Sequence, residues 1–335
     1  DGQYNGSNIA TDFNRGTRNT YYLDLARQAA LKAIEGPYSL LDSYGSLFAY
    51  QTANNNSESL FQLQWLTGST DAIGWGCNNA MQAFFAWSTM VGETNWGNAT
   101  YASYDLVREY DPQDRIRRHN TICTVGEYYS ELNSKNGGYT YNVTESGYDN
   151  KCNIKKHVIG KIDDNGQSYQ QSSGVNTYMM RLAEVYLNLA EAILGNNAST
   201  TDETALTYFN KVRVRAGMPE LKSITYENLR YERRIEFALE GQYWYDLLRR
   251  SYYQQQEVVN YLNNQERNAG YEWDESETCQ YAKSSDGTGV ATATVNNLTL
   301  PISDVDRGRN PELNNAPIAY EFGEREVTVT DLFND

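Results

Sequence analysis

The stretch from Tyr226 to Arg250 constrains this chain more than any other. Thr225 stands where a helix cap belongs, and Leu229, Arg233, Glu236 and Glu240 recur at helical spacing beside Phe237 and Leu239. Gly241 reads as the residue that ends this helix, and Trp244, Leu247 and Leu248 mark a second amphipathic turn. Charged residues three and four apart share a helix face, so Glu232, Arg233, Glu236 and Glu240 are expected to meet. Carboxylates crowded at that spacing need a cation between them. Arg233, Arg234 or an arginine from another helix can supply it, because the planar guanidinium binds two carboxylate oxygens at once. No His, Cys or Ser lies nearby to complete a nucleophilic site, so the pattern reads as a structural ion-pair network rather than a catalytic carboxylate pair.

A chain of 335 residues can bury a large core, in one big domain or two smaller ones. Its formal net charge of −15 argues against nucleic acid as a partner and against adsorption to anionic lipid, since both need clustered Lys and Arg. No apolar run approaches the ~18 residues of a membrane span. The first residue is Asp1, with neither Met nor a signal peptide before it, so the sequence reads as a processed or truncated piece. Cys77, Cys123, Cys152 and Cys279 include no Cys-x-x-Cys pair; they permit three fully paired connectivities or four thiols and fit no zinc pattern. With His119 and His157 as the only histidines, neither a metal nor a cofactor is expected. The compositional signal is aromatic. The chain holds 28 Tyr and 6 Trp, flat half-polar side chains that lose little entropy when held at a binding surface.

Along the chain, residues 17–35 predict a helix with a small-residue stripe of Ala26, Ala29, Ala30 and Ala33, stopped by Gly36-Pro37. Leu60 to Trp65 predicts a strand. Residues 66–110 are the least periodic and the richest in Trp, with a helical run from Met81 to Met90 and another over 102–110. From Gly126 to Ser173 the composition suggests strands and hairpins. Asp163 to Gly166 lacks the alternating oxygen ligands of a calcium loop and reads as a turn. The clearest helix runs from Asn176 to Leu194, and Thr200 with Glu203 reads as a capping box opening the next.

Several of these segments carry a resemblance. Glu232-Arg-x-x-Glu-Phe-x-x-Glu-Gly-x-x-Trp-x-Asp-Leu-x-Arg249 looks like the signature of the SusD/RagB family, outer-membrane lipoproteins of Bacteroidetes that bind nutrients for a TonB-dependent transporter. Ser57-Glu58-Ser59, Asp111-Pro112, the run from Arg181-x-x-Glu184 to Ala190-Glu191, and Arg215-Ala-Gly-Met-Pro219 match the family in order. The resemblance implies a mostly α fold, a tetratricopeptide-like helical scaffold with loop-rich, partly β insertions. Residues 1–50 would then end the tetratricopeptide-like region. Residues 51–335 would form the C-terminal region, with a loop-rich ligand-binding part at about 65–175 and a helical unit at about 176–250. It also implies a SusC-like transporter partner and a membrane contact only through a lipid anchor that this sequence does not contain.

Sugar capture asks for exposed aromatic faces against the C–H groups of a pyranose, rimmed by amides and carboxylates. Trp75 and Trp96 meet this best, each among Gly and Asn and outside any apolar stripe, with Asn78, Asn79, Asn95 and Asn98 as hydrogen-bonding partners. Trp65 and Trp87 read as core and Trp244 as part of the helix clamp. The function expected is non-catalytic cell-surface binding of glycans and their delivery to the transporter. The alternatives are a peptide-binding member of the same family and a glycoside hydrolase, for which Asp71 and Glu93 near the Trp segments form no paired motif.

Overall fold

The structure is a computed structural model that describes residues 16–66, 79–86, 88–92, 100–142, 152–159, 168–169, 172–267, 271–273, 281–283, 291–299 and 302–315. In chain order the elements used below are α1 (Thr20–Ile34), β1 (Ser59–Leu63), α2 (Met81–Phe85), α3 (Ser88–Val91), α4 (Tyr104–Val107) and α5 (Arg115–Thr121). They continue with β2 (Thr177–Arg181), α6 (Leu182–Leu194), β3 (Ser199–Thr200), α7 (Glu203–Arg215), β4 (Ile224–Thr225), α8 (Tyr226–Glu236), α9 (Tyr243–Ser251) and α10 (Gln255–Asn264). The architecture is mostly helical, and among the described residues the strands pair only as two-stranded antiparallel ribbons.

The main core lies where α1, α6, α7 and α8 meet, with Leu187, Leu189, Ala190, Phe209, Val212, Ile224 and Leu229 all withdrawn from solvent. Ala26, Ala29, Ala30 and Ala33 face α6, leaving a shallow apolar groove beside Met180 and Val185. Asn19 caps α1 by accepting the Tyr21 N–H at 2.9 Å. At α8 the cap is reciprocal: Thr225 Oγ1 accepts the Asn228 N–H and Asn228 Oδ1 accepts the Thr225 N–H.

Four boundaries differ from the sequence expectation, each for a stated physical reason. The helix expected from Asn176 starts at Leu182, because Thr177–Arg181 is spent as β2, paired with β1. There Tyr178 turns inward onto Tyr44 and Phe48. Asp202, not Thr200, caps α7 by accepting the Ala205 N–H at 2.9 Å, while Thr200 pairs with Ile224 in the β3–β4 ribbon. Only Tyr104–Val107 of the expected 102–110 helix forms, since Ala102 donates to Cys152 O instead. α8 stops at Glu236, four residues early, with Leu239 at φ +65° and Gly241 at φ +81°. Carbonyls that further helix would have used accept side chains instead: Glu236 O from Tyr44 and Arg181, and Ala238 O from Lys156.

β1 also exposes one apolar edge, with Phe61 64% and Leu63 45% exposed, next to Met179 and Met180 of β2. Shortening Phe209, which is fully buried in the main core, has no such outlet. Phe209→Ala is expected to lower unfolding free energy by about 3–5 kcal/mol, read from the urea midpoint at constant m-value.

Candidate functional site

The two tryptophans singled out for ligand contact, Trp75 and Trp96, lie outside the described residues, as do Asn78, Asn95 and Asn98. What the structure places are the chain ends from which their segments spring. Residues 67–78 leave from Trp65, whose backbone N–H donates to Asn176 Oδ1 at 3.0 Å and whose indole N–H donates to Thr177 Oγ1 at 2.9 Å. They return at Asn79, which exchanges both backbone hydrogen bonds with Ser173. Asn79 itself is buried; its amide donates to Val175 O and accepts the Met81 N–H, both at 3.0 Å. That amide is committed inside the protein, where it fixes the returning end and starts α2.

Residues 93–99 leave from Gly92 and return at Thr100. Gly92 has φ +74°, in the left-handed region that favours glycine, and a Cβ there would meet the Asn133 side-chain amide. Thr100 donates to Phe84 O at 3.1 Å, tying the second segment to α2, the root of the first.

Beneath both roots runs residues 152–159. Cys152 O accepts the Ala102 N–H at 3.0 Å, Asn153 bridges Tyr101 and Ile154 bridges Ile122, all in the antiparallel sense. Ile159 donates to the Gln82 side chain of α2 at 2.9 Å. Cys123 and Cys152 are both buried here, and burial pushes the Cys123 thiol far above its ordinary range. A low thiolate content makes it a poor nucleophile.

On the helical side lies a cluster of buried charges. Glu236 pairs with Arg117 at 3.2 Å, with Arg181 at 2.6 Å, and with Arg215. Glu232 sits between Arg117 at 2.5 Å and Arg213 at 2.8 Å, and Arg117 also takes Asp114 at 2.5 Å. Arg181 reaches Glu58 and Glu240, both at 2.9 Å, and Glu240 holds Lys156 at 2.8 Å. Five carboxylates (Glu58, Asp114, Glu232, Glu236, Glu240) thus face five cations (Arg117, Lys156, Arg181, Arg213, Arg215). The cations bridging Glu232 and Glu236 of α8 come from α5, β2 and α7, while Lys156 of the 152–159 segment takes Glu240 just beyond it. Arg233 and Arg234, also candidates for that role, point elsewhere: Arg233 to Asp246 at 2.8 Å and to Asn188, Arg234 to Asp105.

Burial opposes the Glu236 charge, but Arg215, Arg181 and Arg117 together outweigh it and hold the carboxyl down at about 2. Glu240, also disfavoured by burial, is held below the carboxylate range by Arg181 and Lys156. Carboxylates saturated with guanidinium are structural clamps and poor acid–base catalysts. The described residues hold no group of three or more His, Cys, Asp or Glu able to ligate a metal. Among them, no helix is long and apolar enough to cross a membrane. Trp65 is half-buried, Trp244 of α9 is 38% exposed, and Trp87, Asp71, Glu93 and Asp163–Gly166 lie outside the described residues.

A mostly helical scaffold clamped by a cluster of buried ion pairs is the class of protein that this arrangement defines. Residues 41–318 match the SusD family model. The chain is 38% identical to a SusD-like protein of Bacteroides ovatus, over 93% of this chain and 59% of that relative. It is 24% identical to the starch-binding protein SusD of Bacteroides thetaiotaomicron, over 86% of this chain and 55% of that protein. A crystal structure with xylogluco-oligosaccharide superposes with a TM-score of 0.79 at 35% identity, covering 93% of this chain and 64% of that one. A laminarin-binding SusD-like protein shares the fold, with a TM-score of 0.52 at 23% identity over 75% of this chain and 55% of that one. The chain belongs to the SusD family. It spans about three fifths of the length of the relatives it matches.

Two expectations follow from the ion cluster. Arg181→Met would leave three buried carboxylates short of a partner and is expected to cost about 3–5 kcal/mol in urea unfolding. The Glu236 contribution, on the order of 3 kcal/mol, is complete above pH 4.5 and lost as pH falls towards about 2. Acid titration followed by circular dichroism should show Glu236→Gln losing much of that acid-dependent component, with its remaining stability flatter over this window.

Proposed function

We propose that this chain is part of a non-catalytic, cell-surface glycan-binding protein that stacks neutral sugar rings on Trp75 and Trp96, with Asn78, Asn95 and Asn98 hydrogen-bonding their hydroxyls. The observation that carries this reading is the 35% identity to the structure with xylogluco-oligosaccharide, over 93% of this chain. The starch-binding relative supports the same ligand class. Asn79 contributes from beneath, by fixing the end of the Trp75 segment. The net charge of −15 favours uncharged glycans over polyanions.

Capture at the surface is followed by hand-over to a SusC-like TonB-dependent transporter, with the protein held at the outer membrane by a lipid anchor. Binding needs neither a cofactor nor a metal. The chemistry of the buried carboxylates supports a non-catalytic role, since each faces arginine or lysine rather than a cleft.

Titration calorimetry with a xylogluco-oligosaccharide tests the reading. Trp75→Ala and Trp96→Ala are each expected to weaken binding roughly tenfold, ~1.4 kcal/mol, while thermal unfolding stays unchanged. Incubation with polysaccharide should release no new reducing ends. Unaltered affinity in both variants, or preferential capture of peptides, would reject the proposal.

A further inference from the structure

We infer that the outward face of α9 is a second ledge for neutral glycan chains, formed by Trp244, Tyr245, Leu248 and Tyr252 and additional to Trp75 and Trp96. The inference takes its ligand class from the proposed glycan reading, and its test separates the two.

Helix geometry gathers these four side chains on one side of α9. Trp244, Leu248 and Tyr252 follow one another at four-residue spacing, and Tyr245 lies beside them, three residues from Leu248. The inner side carries Leu247 and Ser251, both buried, and Leu247 packs on Val258 and Leu262 of α10. Closing the core therefore does not account for the outer row. Tyr245 is 67% exposed, and Trp244 and Tyr252 are 38% exposed each. Among the described residues, neither the Trp244 indole N–H nor the Tyr245 hydroxyl has a hydrogen-bond partner, and neither ring meets another ring or a cation.

The chemistry of this row selects a neutral, extended ligand. Every charged side chain of α9 is already engaged. Asp246 meets Arg233 at 2.8 Å and Arg249 at 3.2 Å, Arg249 also meets Glu191 at 2.9 Å, and Arg250 donates to Gln254 at 2.8 Å. No free charge of α9 is left to recruit an ionic partner. Aromatic faces suit the C–H groups of pyranose rings, and indole and phenol donors suit their hydroxyls. Trp244 and Tyr252 lie roughly 12 Å apart along the axis at the rise of an α-helix, so the row can underlie consecutive sugars of one chain. A protein partner would need about 20–30 residues on this side of a stable interface, far more than four side chains. An open row also fits a polymer lying across the surface better than a small molecule, whose sites are concave.

Indole N–H resonances of the whole chain, assigned with Trp75→Phe, Trp96→Phe and Trp244→Phe, are followed during titration with a xylogluco-oligosaccharide. The Trp244 resonance is expected to shift with ligand, and to keep shifting in the Trp75→Ala/Trp96→Ala double variant. Tyr245→Ala changes the most exposed ring of the row, so thermal unfolding should stay as in the wild type. In that variant the ligand concentration that half-saturates the Trp244 shift should rise about fivefold or more. A Trp244 resonance that stays fixed while those of Trp75 or Trp96 move overturns the ledge and leaves the first glycan site standing. A Trp244 response that persists while Trp75 and Trp96 stay fixed supports the ledge and rejects those two residues as the contact. Resonances fixed throughout reject both. A Trp244 shift that vanishes in the double variant, that is unchanged in Tyr245→Ala, or that follows protein rather than ligand concentration also overturns the inference.

Discussion

Everything in this structure leans on one arrangement, the five carboxylates and five cations drawn together at the ends of α5, α7 and α8. Each charge would be prohibitive to bury alone, because an ion withdrawn from water costs several kcal/mol even after the protein relaxes around it. The cost is met collectively, by pairing every charge at least once and most of them two or three times. Arg181 shows the principle at its densest: its guanidinium is shared among Glu58, Glu236, Glu240 and the Glu236 carbonyl, with the Phe237 ring 4.5 Å below. Well-packed hydrophobic residues of similar volume would be no less stabilising. What the charges add is direction, since each pair specifies one geometry between elements that apolar packing would allow to slide.

That direction passes outward from α8 to residues 152–159. The early end of α8 turns carbonyls toward Tyr44, Arg181, Lys156 and His157 rather than toward further helix. Residues 152–159 accept that support on one side and return it on the other, as backbone bridges to Tyr101 and Ile122 and a hydrogen bond to Gln82. The described scaffold is thus a rigid frame of the kind on which binding residues are carried in other proteins.

Much of this was legible before any coordinates. The periodicity of residues 17–35 gave α1 to within a few residues, and the spacing of Glu232, Glu236 and Glu240 pointed to a network that needed arginine. Sequence spacing could not say which arginine. Arg117, Arg181, Arg213 and Arg215 arrive from distant parts of the chain, whereas Arg233, nearest in sequence, is rotated toward Asp246. Local rules see neighbours three and four residues apart and are blind to long-range partners. The same blindness hid β2: Thr177–Arg181 continues a helical stripe, yet pairing with Ser59–Leu63 decides its conformation. Lys156 gave no signal, because a lone lysine beside a histidine looks like surface until Glu240 and Ala238 are seen around it. The sequence shows only a Lys155-Lys156-His157 run between Ile154 and Val158-Ile159.

The sequence distances inside the charge cluster make its completion depend on long-range contacts. Glu58, Arg117, Lys156, Arg181, Arg215 and Glu236 span most of the described chain, so the cluster cannot close locally. Any partly collapsed state that buried some of these groups before their partners arrived would carry naked ions in a dry interior. Burying these groups unpaired carries that desolvation cost, so the cluster gains its full stability only when distant segments have met.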